Sequence, residues 1–301
     1  MPDQVEIYSA YSLLGMLFIW CEQDFFPGGE REAGTIDLRV QRDTITNIPI
    51  CRASSLKGPI RAFFEQYSNK LDIEVDVIFG NQNRASAVEF LRAGIILYPV
   101  HSFIGLFGYV TSPYQLREYW LNHLRNRGDQ KARDLISILD TLEMKLKNKK
   151  AIITDNSIFR DMDLVLAKGE FIIQKDEVEQ DKNFNTLLQT LIEQAIPKTG
   201  KNIFSGYHYT KEKVEKASIL VPDELFRKSI DRTLPRITWI ALDYETKTVK
   251  RGALFIQEFI PRHTLLASGV YEAERCSCLL YTSDAADDGE SGDLGGRRII
   301  K

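Results

Sequence analysis

The chain has 301 residues, 44% of them hydrophobic, which is enough for a buried core in one elaborated domain or two closely packed ones. Its longest apolar run, around residues 13–20, is too short to span a bilayer and has no basic stretch before it, so we expect a cytoplasmic protein with no membrane contact. The formal charge of −3 argues against indiscriminate coating of nucleic acid, because such coating needs a large excess of basic residues.

Apolar spacing predicts one helix and then several strands in the first third of the chain. An apolar stripe at helical intervals predicts a helix over residues 55–67. Apolar and acidic residues then alternate over residues 71–77, which is typical of a half-buried strand. Two further apolar runs, at residues 95–100 and 104–111, are strand candidates.

Two helices are predicted in the middle of the chain. Ser112 and Pro113 suit the N-cap and the first helical position, and the helix that they open ends near Gly128. Leucine and isoleucine at helical spacing predict a second helix over residues 135–146.

The second half has a less regular pattern. Residues 151–216 mix short strand-like runs with polar stretches and one helix at residues 187–196, so we interpret them as an insertion. Residues 236–243 and 249–260 are strand candidates joined by a polar turn, which indicates a hairpin. Strands and helices without a strict βα repeat predict an α+β sheet domain.

The segment ASSLKGPIR has the pattern of a helix start with a positive surface. Ser54 or Ser55 is a suitable N-cap, and Pro59 then lies in the first turn, where its missing N–H costs least. Lys57 and Arg61 are four residues apart on one side, with no acidic residue before position 65. Free N–H groups, hydroxyls and two cations would therefore converge on an anion such as phosphate. An ordinary capped helix with solvated cations explains the segment equally well.

A polar strand face is predicted just before that helix. Apolar and polar residues alternate in TIDLRVQ, which would place a carboxylate, a guanidinium and an amide on one exposed face. These polar residues are Asp37, Arg39 and Gln41. For Asp37 considered alone, a merely solvated carboxylate is the better interpretation, because one acid without an acidic or histidine neighbour is a weak catalytic signal.

Five ordered segments together identify a family. They are GTIDLRVQRD, ASSLKGPIR, IFG, AGIILYPVHSFIGLFGYVTSP and TKTVKRGALFIQEFIP. In this order they resemble the Cmr-type backbone subunit of type III-B CRISPR complexes, a member of the RAMP superfamily. The resemblance covers most of residues 34–261, with a poorly matched middle.

The resemblance implies a modified RNA-recognition (ferredoxin-like) fold of the α+β class, with large insertions that include a thumb hairpin. We therefore expect a single RAMP domain over residues 1–275, stacked head to tail with other copies of itself and bound to other RAMP subunits. The implied partners are a guide RNA and its paired target RNA. The residues that the resemblance assigns to guide binding are Gln41, Arg42, Ser54, Ser55, Lys57, Gly58 and Arg61.

The resemblance also implies cleavage of the target RNA at regular intervals beside each thumb. It assigns the reaction to Asp37, which would position a weakly bound Mg²⁺ or Mn²⁺, and it places Glu258 near the cleavage site. A paired carboxylate at a strand edge explains Glu258 about as well. Two alternatives stay open: a catalytically silent RNA-binding backbone subunit, and a stand-alone guide-processing endoribonuclease. The second would normally use a histidine as general base.

Several positions depart from the family pattern. The first strand–loop has no His-Gly pair, which puts guide contacts from that loop in doubt. Asp43 replaces a longer acid, the usual aspartate is missing near Leu91 and Arg92, and His101 stands where an arginine is usual. Residues 276–301 change composition abruptly and contain CLLYTSDAADDG, which resembles translated sequencing adaptor. We therefore expect a non-native tail on a truncated reading frame.

Overall fold

A mixed β-sheet holds most of the strands in the computed structural model, which describes residues 11–29, 36–71, 74–196 and 206–273. The strands are β1 (Tyr11–Trp20), β2 (Ile50–Cys51), β3 (Val88–Phe90), β4 (Ala93–His101), β5 (Phe107–Thr111), β6 (Ala151–Ile153), β7 (Leu164–Leu166), β8 (Phe171–Ile173), β9 (Val178–Gln180), β10 (Ser218–Leu220), β11 (Arg236–Leu242), β12 (Val249–Glu258) and β13 (Leu265–Ala273). The main sheet runs β1-β13-β4-β5-β10-β6-β9, with β2 paired to β4 and β3 to β13. Strands β11 and β12 form a separate hairpin, and so do β7 and β8.

Helices cover the sheet. They are α1 (Ala53–Leu71), α2 (Val75–Phe79), α3 (Pro113–Leu116), α4 (Asn122–Asn126), α5 (Gln130–Leu146), α6 (Lys182–Ala195), α7 (Gly206–Ala217) and α8 (Asp223–Thr233). A short π-helix over Arg117–Leu121 joins α3 to α4 in one continuous helix. Ser112 is its N-cap, as predicted, and it stops before Gly128, whose φ of +81° suits glycine. The α+β class is confirmed.

Strand β4 is buried on both faces, which explains its continuous apolar run. Ile96 packs in a core formed with α5 and α6, whereas its neighbour Ile95 packs on the other face with α1 and α8. Successive side chains of a strand point to opposite faces, so both faces must be apolar when helices cover both. The predicted strand over residues 95–100 is confirmed, as are the helices over 55–67, 135–146 and 187–196.

The strand predicted over residues 71–77 is wrong. Helix α1 continues to Leu71, residues 72–73 lie outside the described structure, and α2 follows. Phe79 of α2 packs on Phe64 of α1 with ring centroids 5.6 Å apart, and Asp76 pairs with Arg61. Alternation over seven residues is too short to distinguish a strand from a helix that is held by such tertiary contacts.

Residues 151–216 contribute to the main sheet and its core. Strands β6 and β9 pair at one end of the sheet order, and α6 buries Phe184 and Leu188 in the core. Their interpretation as an insertion, and the single domain over residues 1–275, stay predictions. The predicted tail at 276–301 lies outside the described residues.

Candidate nucleic-acid interface

The segment that carries Asp37 is extended and lies against the base of the β11–β12 hairpin. The amides of Asp37 and Leu38 both donate to the carbonyl of Ile256, at 3.0 and 3.1 Å, and the amide of Glu258 donates to the carbonyl of Leu38 at 2.9 Å. On its other side, Gln41 donates its amide to the carbonyl of Gly28 at 3.0 Å. The segment is therefore fixed between a loop and a hairpin.

The regular strand predicted over this segment is absent from the described structure. Leu38 forms only an isolated β-bridge with Gln257. The segment bonds to β12 at Asp37 and Leu38 but to the loop at Gly28 from Gln41, so no continuous strand pairing develops. The loop backbone at Gly29 packs closely against the segment, since a Cβ there would lie 1.7 Å from the carbonyl oxygen of Arg39. Ile36 and Val40 are buried, while Leu38 is half-buried like the polar residues beside it, so the predicted alternation is only partly present.

Asp37 is half-buried and has a fixed orientation. Its Oδ2 accepts a hydrogen bond of 2.8 Å from the amide of Ile256. Because Ile256 donates to Oδ2, Oδ1 is the oxygen that we expect to accept a ligand. The carboxylate therefore stands at the point where the hairpin leaves the domain.

The β11–β12 hairpin projects from the domain. Side chains near its tip are exposed, whereas Glu258 at its base is buried. It carries aromatic groups in contact, with Trp239 stacked on Phe255 and the ammonium of Lys247 lying 3.9 Å from the ring centroid of Tyr244. Its exposed large apolar side chains are Ile237, Trp239, Ile240, Leu242, Tyr244, Val249 and Leu254. An exposed apolar and aromatic surface of this kind marks a binding site.

Helix α1 starts two residues earlier than the sequence predicted. It begins at Ala53, and the amide of Leu56 donates to the carbonyl of Arg52, so neither Ser54 nor Ser55 is the N-cap. Both serines lie in the first turn instead. Pro59 consequently lies inside the helix, where it cannot donate to the carbonyl four residues before it.

The cationic side of α1 is partly neutralised. Lys57 is half-buried and the adjacent Gly58 is exposed. Arg61 pairs with Glu65 at 2.7 Å and with Asp76 at 2.8 Å, and it donates to the carbonyl of Gly80 at 2.6 Å. The hydrogen bond that Arg61 donates to Glu65, with the charges of both acids, raises the pKa of Arg61 above its ordinary value. Much of the guanidinium of Arg61 is thus engaged within the chain, which leaves fewer of its N–H donors for a phosphate.

A pocket of 250 Å³ opens beside the start of α1. It is lined by Gln41, Arg42, Asp43, Thr44, Ile50, Arg52, Ala53 and Arg92. Two residues that the resemblance assigned to guide binding, Gln41 and Arg42, thus meet the first turn of α1. The pocket also contains Arg52 and Arg92, which the sequence analysis missed. An arginine directly before a helix start was a readable signal for Arg52, but nothing local indicated Arg92.

Asp43 is the pocket's carboxylate and is buried. Its Oδ1 accepts from the amides of Ile45 and Thr46 at 3.0 and 2.8 Å, and its Oδ2 lies 2.6 Å from Nη1 of Arg92. Burial alone would raise the pKa of Asp43, but the hydrogen bonds from Thr46 and Ile45 and the charge of Arg92 together hold it below its ordinary value. Asp43 is therefore a charged anchor for Arg92.

Arg42 links the pocket to the hairpin. It pairs with Asp231 of α8 at 2.8 Å and with Glu258 at 3.5 Å, and Arg236 approaches the other oxygen of Glu258 at 3.5 Å. Glu258 has 1% of its surface exposed. This geometry favours a paired structural carboxylate over a catalytic one, because a buried acid held by two arginines has no open side for a substrate.

A complete protein metal site is not found among the described residues, where no group of three or more His, Cys, Asp or Glu side chains could hold an ion. Asp37 offers one oxygen. Mg²⁺ is often bound by one or two carboxylates together with substrate phosphates, so Asp37 fits an ion whose other ligands come from RNA and water.

Comparisons with known proteins agree with this architecture. The family model of the RAMP superfamily matches residues 21–288, so the chain belongs to that superfamily. The chain is 31% identical over 245 residues to the CRISPR system CMR subunit Cmr4 of Saccharolobus solfataricus, covering 77% of this chain and 75% of that one. It is 27% identical over 248 residues to the CRISPR system Cmr endoribonuclease Cmr4 of Pyrococcus furiosus, covering 80% and 76%. Within the superfamily it is thus a Cmr-type subunit of the type III-B systems.

Solved structures show the same fold. A chain of the type III-B Cmr-beta complex bound to cognate target RNA has a TM-score of 0.65 at 21% identity, over 97% of this chain and 93% of that one. Oligomeric Cmr4 from Pyrococcus furiosus has a TM-score of 0.59 at 20% identity, over 94% and 88%. These neighbours confirm the modified RNA-recognition fold. In the part of the chain that the structure describes, no helix is long and apolar enough to cross a membrane.

Proposed function

We propose that this chain is a backbone subunit of a type III-B CRISPR complex, which binds guide RNA beside α1 and cleaves the paired target RNA at Asp37. Other copies of the chain, other RAMP subunits and both RNAs are its partners, in the cytoplasm. The observation that carries the proposal is the bond from Ile256 to Asp37, which fixes an acidic group at the base of the projecting hairpin.

Guide binding is supported by the chemistry of the pocket and of α1. Arginine binds phosphate through paired N–H donors, and Gln41 and Arg42 lie together beside the first helical turn, where amide groups lack intrahelical acceptors. The exposed Ser54 and Gly58 and the half-buried Ser55 continue the surface along α1 towards Lys57. Contacts of this kind hold a backbone without reading its sequence, as a guide-binding subunit requires.

The hairpin suits the role of the thumb. Aromatic and apolar side chains can stack on bases or part them, at sites where a duplex is interrupted. A nucleotide displaced in this way frees its backbone, so that its 2′-hydroxyl can approach the next phosphate in line. Because Asp37 lies at the hairpin base, the phosphate beside the displaced nucleotide would lie next to this carboxylate.

Asp37 would act with a weakly bound divalent ion. Mg²⁺ or Mn²⁺, when bound, supplies positive charge that neutralises the scissile phosphate. The chain's own contribution is the oriented carboxylate: Oδ2 is held by Ile256, and Oδ1 would face the RNA. A histidine-dependent guide-processing enzyme is less well supported, since the residues lining the pocket include no histidine.

The test uses the assembled complex, because a lone subunit has no ordered duplex to cut. The parent complex should give products at regular intervals that depend on Mg²⁺ or Mn²⁺, with spacing set by the subunit repeat. Asp37→Asn keeps the side-chain shape but loses its charge, so cleavage should be lost while guide loading and target binding stay unchanged.

Two outcomes would count against this assignment. If the Asp37→Asn complex cuts at the parental rate, Asp37 is structural. If the parent complex binds its target and never cuts it under conditions where a known active complex does, the chain is a catalytically silent backbone subunit.

A further inference from the structure

The pocket beside α1 has arginines in its lining to which the expected role assigns no function. Its lining includes three arginines and a single carboxylate, Asp43. Arg42 is engaged by Asp231 and Glu258 outside the pocket, whereas Arg52 and Arg92 have been given no role so far. The cavity of 250 Å³ has room for a phosphate group, and guanidinium groups match its charge and its paired oxygens.

Arg92 is fixed at one end and open at the other. Its Nη1 meets Oδ2 of Asp43 at 2.6 Å, where the carboxylate side chain is 1% exposed but that of Arg92 is 43% exposed. A guanidinium has five N–H donors, and one carboxylate oxygen cannot use them all. The carboxylate of Asp43 is therefore buried in this ion pair, whereas the remaining N–H donors of Arg92 can reach the opening of the pocket.

Asp43 can hold Arg92 in this position because its other oxygen is already satisfied. The amides of Ile45 and Thr46 and the hydroxyl of Thr46 all donate to Oδ1, at 3.0, 2.8 and 3.1 Å. The carboxylate is thus rigid and does not depend on Arg92 for all of its hydrogen bonds. This differs from Arg61, whose guanidinium is shared by two acids and a carbonyl.

We propose that Arg92 and Arg52 bind a backbone phosphodiester of RNA in this pocket, and that Asp43 is a positioning residue that orients Arg92. The assignment to RNA rests on the proposed function. The pocket would then supply a phosphate contact on the side of β4, in addition to those expected along α1.

The experiment compares RNA affinity across salt concentrations for the full chain and three variants. The probe is a fluorescent oligouridine RNA, read by anisotropy between about 50 and 200 mM salt. Arg92→Ala removes the phosphate ligand. The double variant Asp43→Asn, Arg92→Ala also removes the buried charge, so it preserves net charge and leaves no unpaired acid if the single variant folds poorly. Arg133→Ala removes an equal charge from an exposed position of α5 that does not line the pocket, and serves as control.

We expect both Arg92 variants to bind RNA about five- to tenfold more weakly at low salt and to lose about 0.7 from the slope of log affinity against log salt. Arg133→Ala should keep the parental slope. A folded double variant with parental affinity and slope overturns the proposal.

A second arm separates this inference from the proposed function. Pyrophosphate should raise the melting temperature of the parent chain, and the double variant should lose that increase. If the parent binds no RNA but shows the pyrophosphate effect, the assignment to RNA falls together with the proposed function. If pyrophosphate stabilises parent and double variant equally, Arg92 is not an anion ligand and the inference fails by itself.

Discussion

The main-chain amide of Ile256 donates a hydrogen bond of 2.8 Å to Oδ2 of Asp37. The two residues are far apart in sequence, yet this bond joins the proposed catalytic acid to the strand that carries the hairpin. The same Ile256 accepts from the amides of Asp37 and Leu38 through its carbonyl. Hairpin and carboxylate therefore form one unit, and any displacement of the hairpin base displaces the acid.

Removal of this one donor should reduce cleavage without abolishing RNA binding. Ile256→Pro deletes the amide proton that Asp37 accepts. A loosely held carboxylate spends less time in the productive position, and small misplacements cost up to about a hundredfold in rate. We expect a ten- to hundredfold slower cleavage in the assembled complex, measured under single-turnover conditions.

Leu254→Pro is the matched control for that experiment. Alternate residues of a strand direct their amides to the same side, so Leu254→Pro removes an equivalent N–H, two positions before Ile256, that is not the donor to Asp37. Leu254 is exposed, and it pairs with Ile240 in the same hairpin. Equal losses of cleavage in both variants would show that the hairpin, and not its bond to Asp37, is what matters.

Substitution of Lys57 should affect guide binding, whereas substitution of Arg61 should affect stability, although the sequence pattern predicted phosphate binding for both. Lys57→Ala should weaken guide binding regardless of RNA sequence and lower its salt dependence. Arg61→Ala should mainly lower the stability of the protein, because it removes the ion pair with Asp76 that joins α1 to α2. Filter binding and urea unfolding of each single variant test this. A stable Arg61→Ala protein with strongly reduced guide affinity would restore Arg61 to the RNA surface.

Local patterns predicted much of this fold. The buried run of β4, the capped helix after Ser112 and the hairpin each have their cause within a few residues of sequence, so their periodicity and capping chemistry could be read directly. The short helix α2 could not be predicted, since contacts of Phe79 and Asp76 with α1 decide its conformation.

The candidate site depends more than the fold does on contacts between residues that are far apart in the sequence. Its chemistry follows from contacts such as Arg42 with Glu258, which are 216 residues apart. The family resemblance brought Asp37, Gln41 and Arg42 to attention. The pairing of Asp43 with Arg92 brings two separate segments together, and no periodicity in either one indicates it.

Asp43 should make the protein's stability depend on acidic pH. Its pKa is lowered in the folded chain, so the folded state favours the charged form. The stabilisation is therefore fully present above the ordinary aspartate pKa of about 3.9 and is lost as the pH falls through the lower folded value. The difference in unfolding free energy between the parent and Asp43→Asn should be constant near neutral pH and shrink below about pH 4. A difference that grows on acidification would contradict this assignment.

Residues 276–301 should be dispensable for folding. Their composition predicts a foreign tail, although the superfamily match extends to residue 288. Deletion of every residue after Arg275 should leave the circular dichroism spectrum and the melting temperature unaltered. A clear fall in melting temperature would show that part of the native domain had been removed.

Glu258 should matter for stability and not for the cleavage step. Its carboxylate is buried between Arg42 and Arg236, and it ends the strand that holds Asp37. Glu258→Ala leaves the half-buried Arg42 with one counter-charge fewer, so we expect a loss of about 2 kcal/mol in the free energy of unfolding, measured in urea. Glu258→Gln keeps the shape and should lose less.

Cleavage by the same variants distinguishes a structural from a catalytic acid. Complexes that contain the folded Glu258→Gln chain should cut target RNA within about threefold of the parental rate and keep the parental dependence on Mg²⁺ concentration. A catalytic carboxylate would behave in the opposite way, since the amide substitution would then abolish cleavage while stability stayed close to parental. That result would transfer the role proposed for Asp37, in whole or in part, to Glu258.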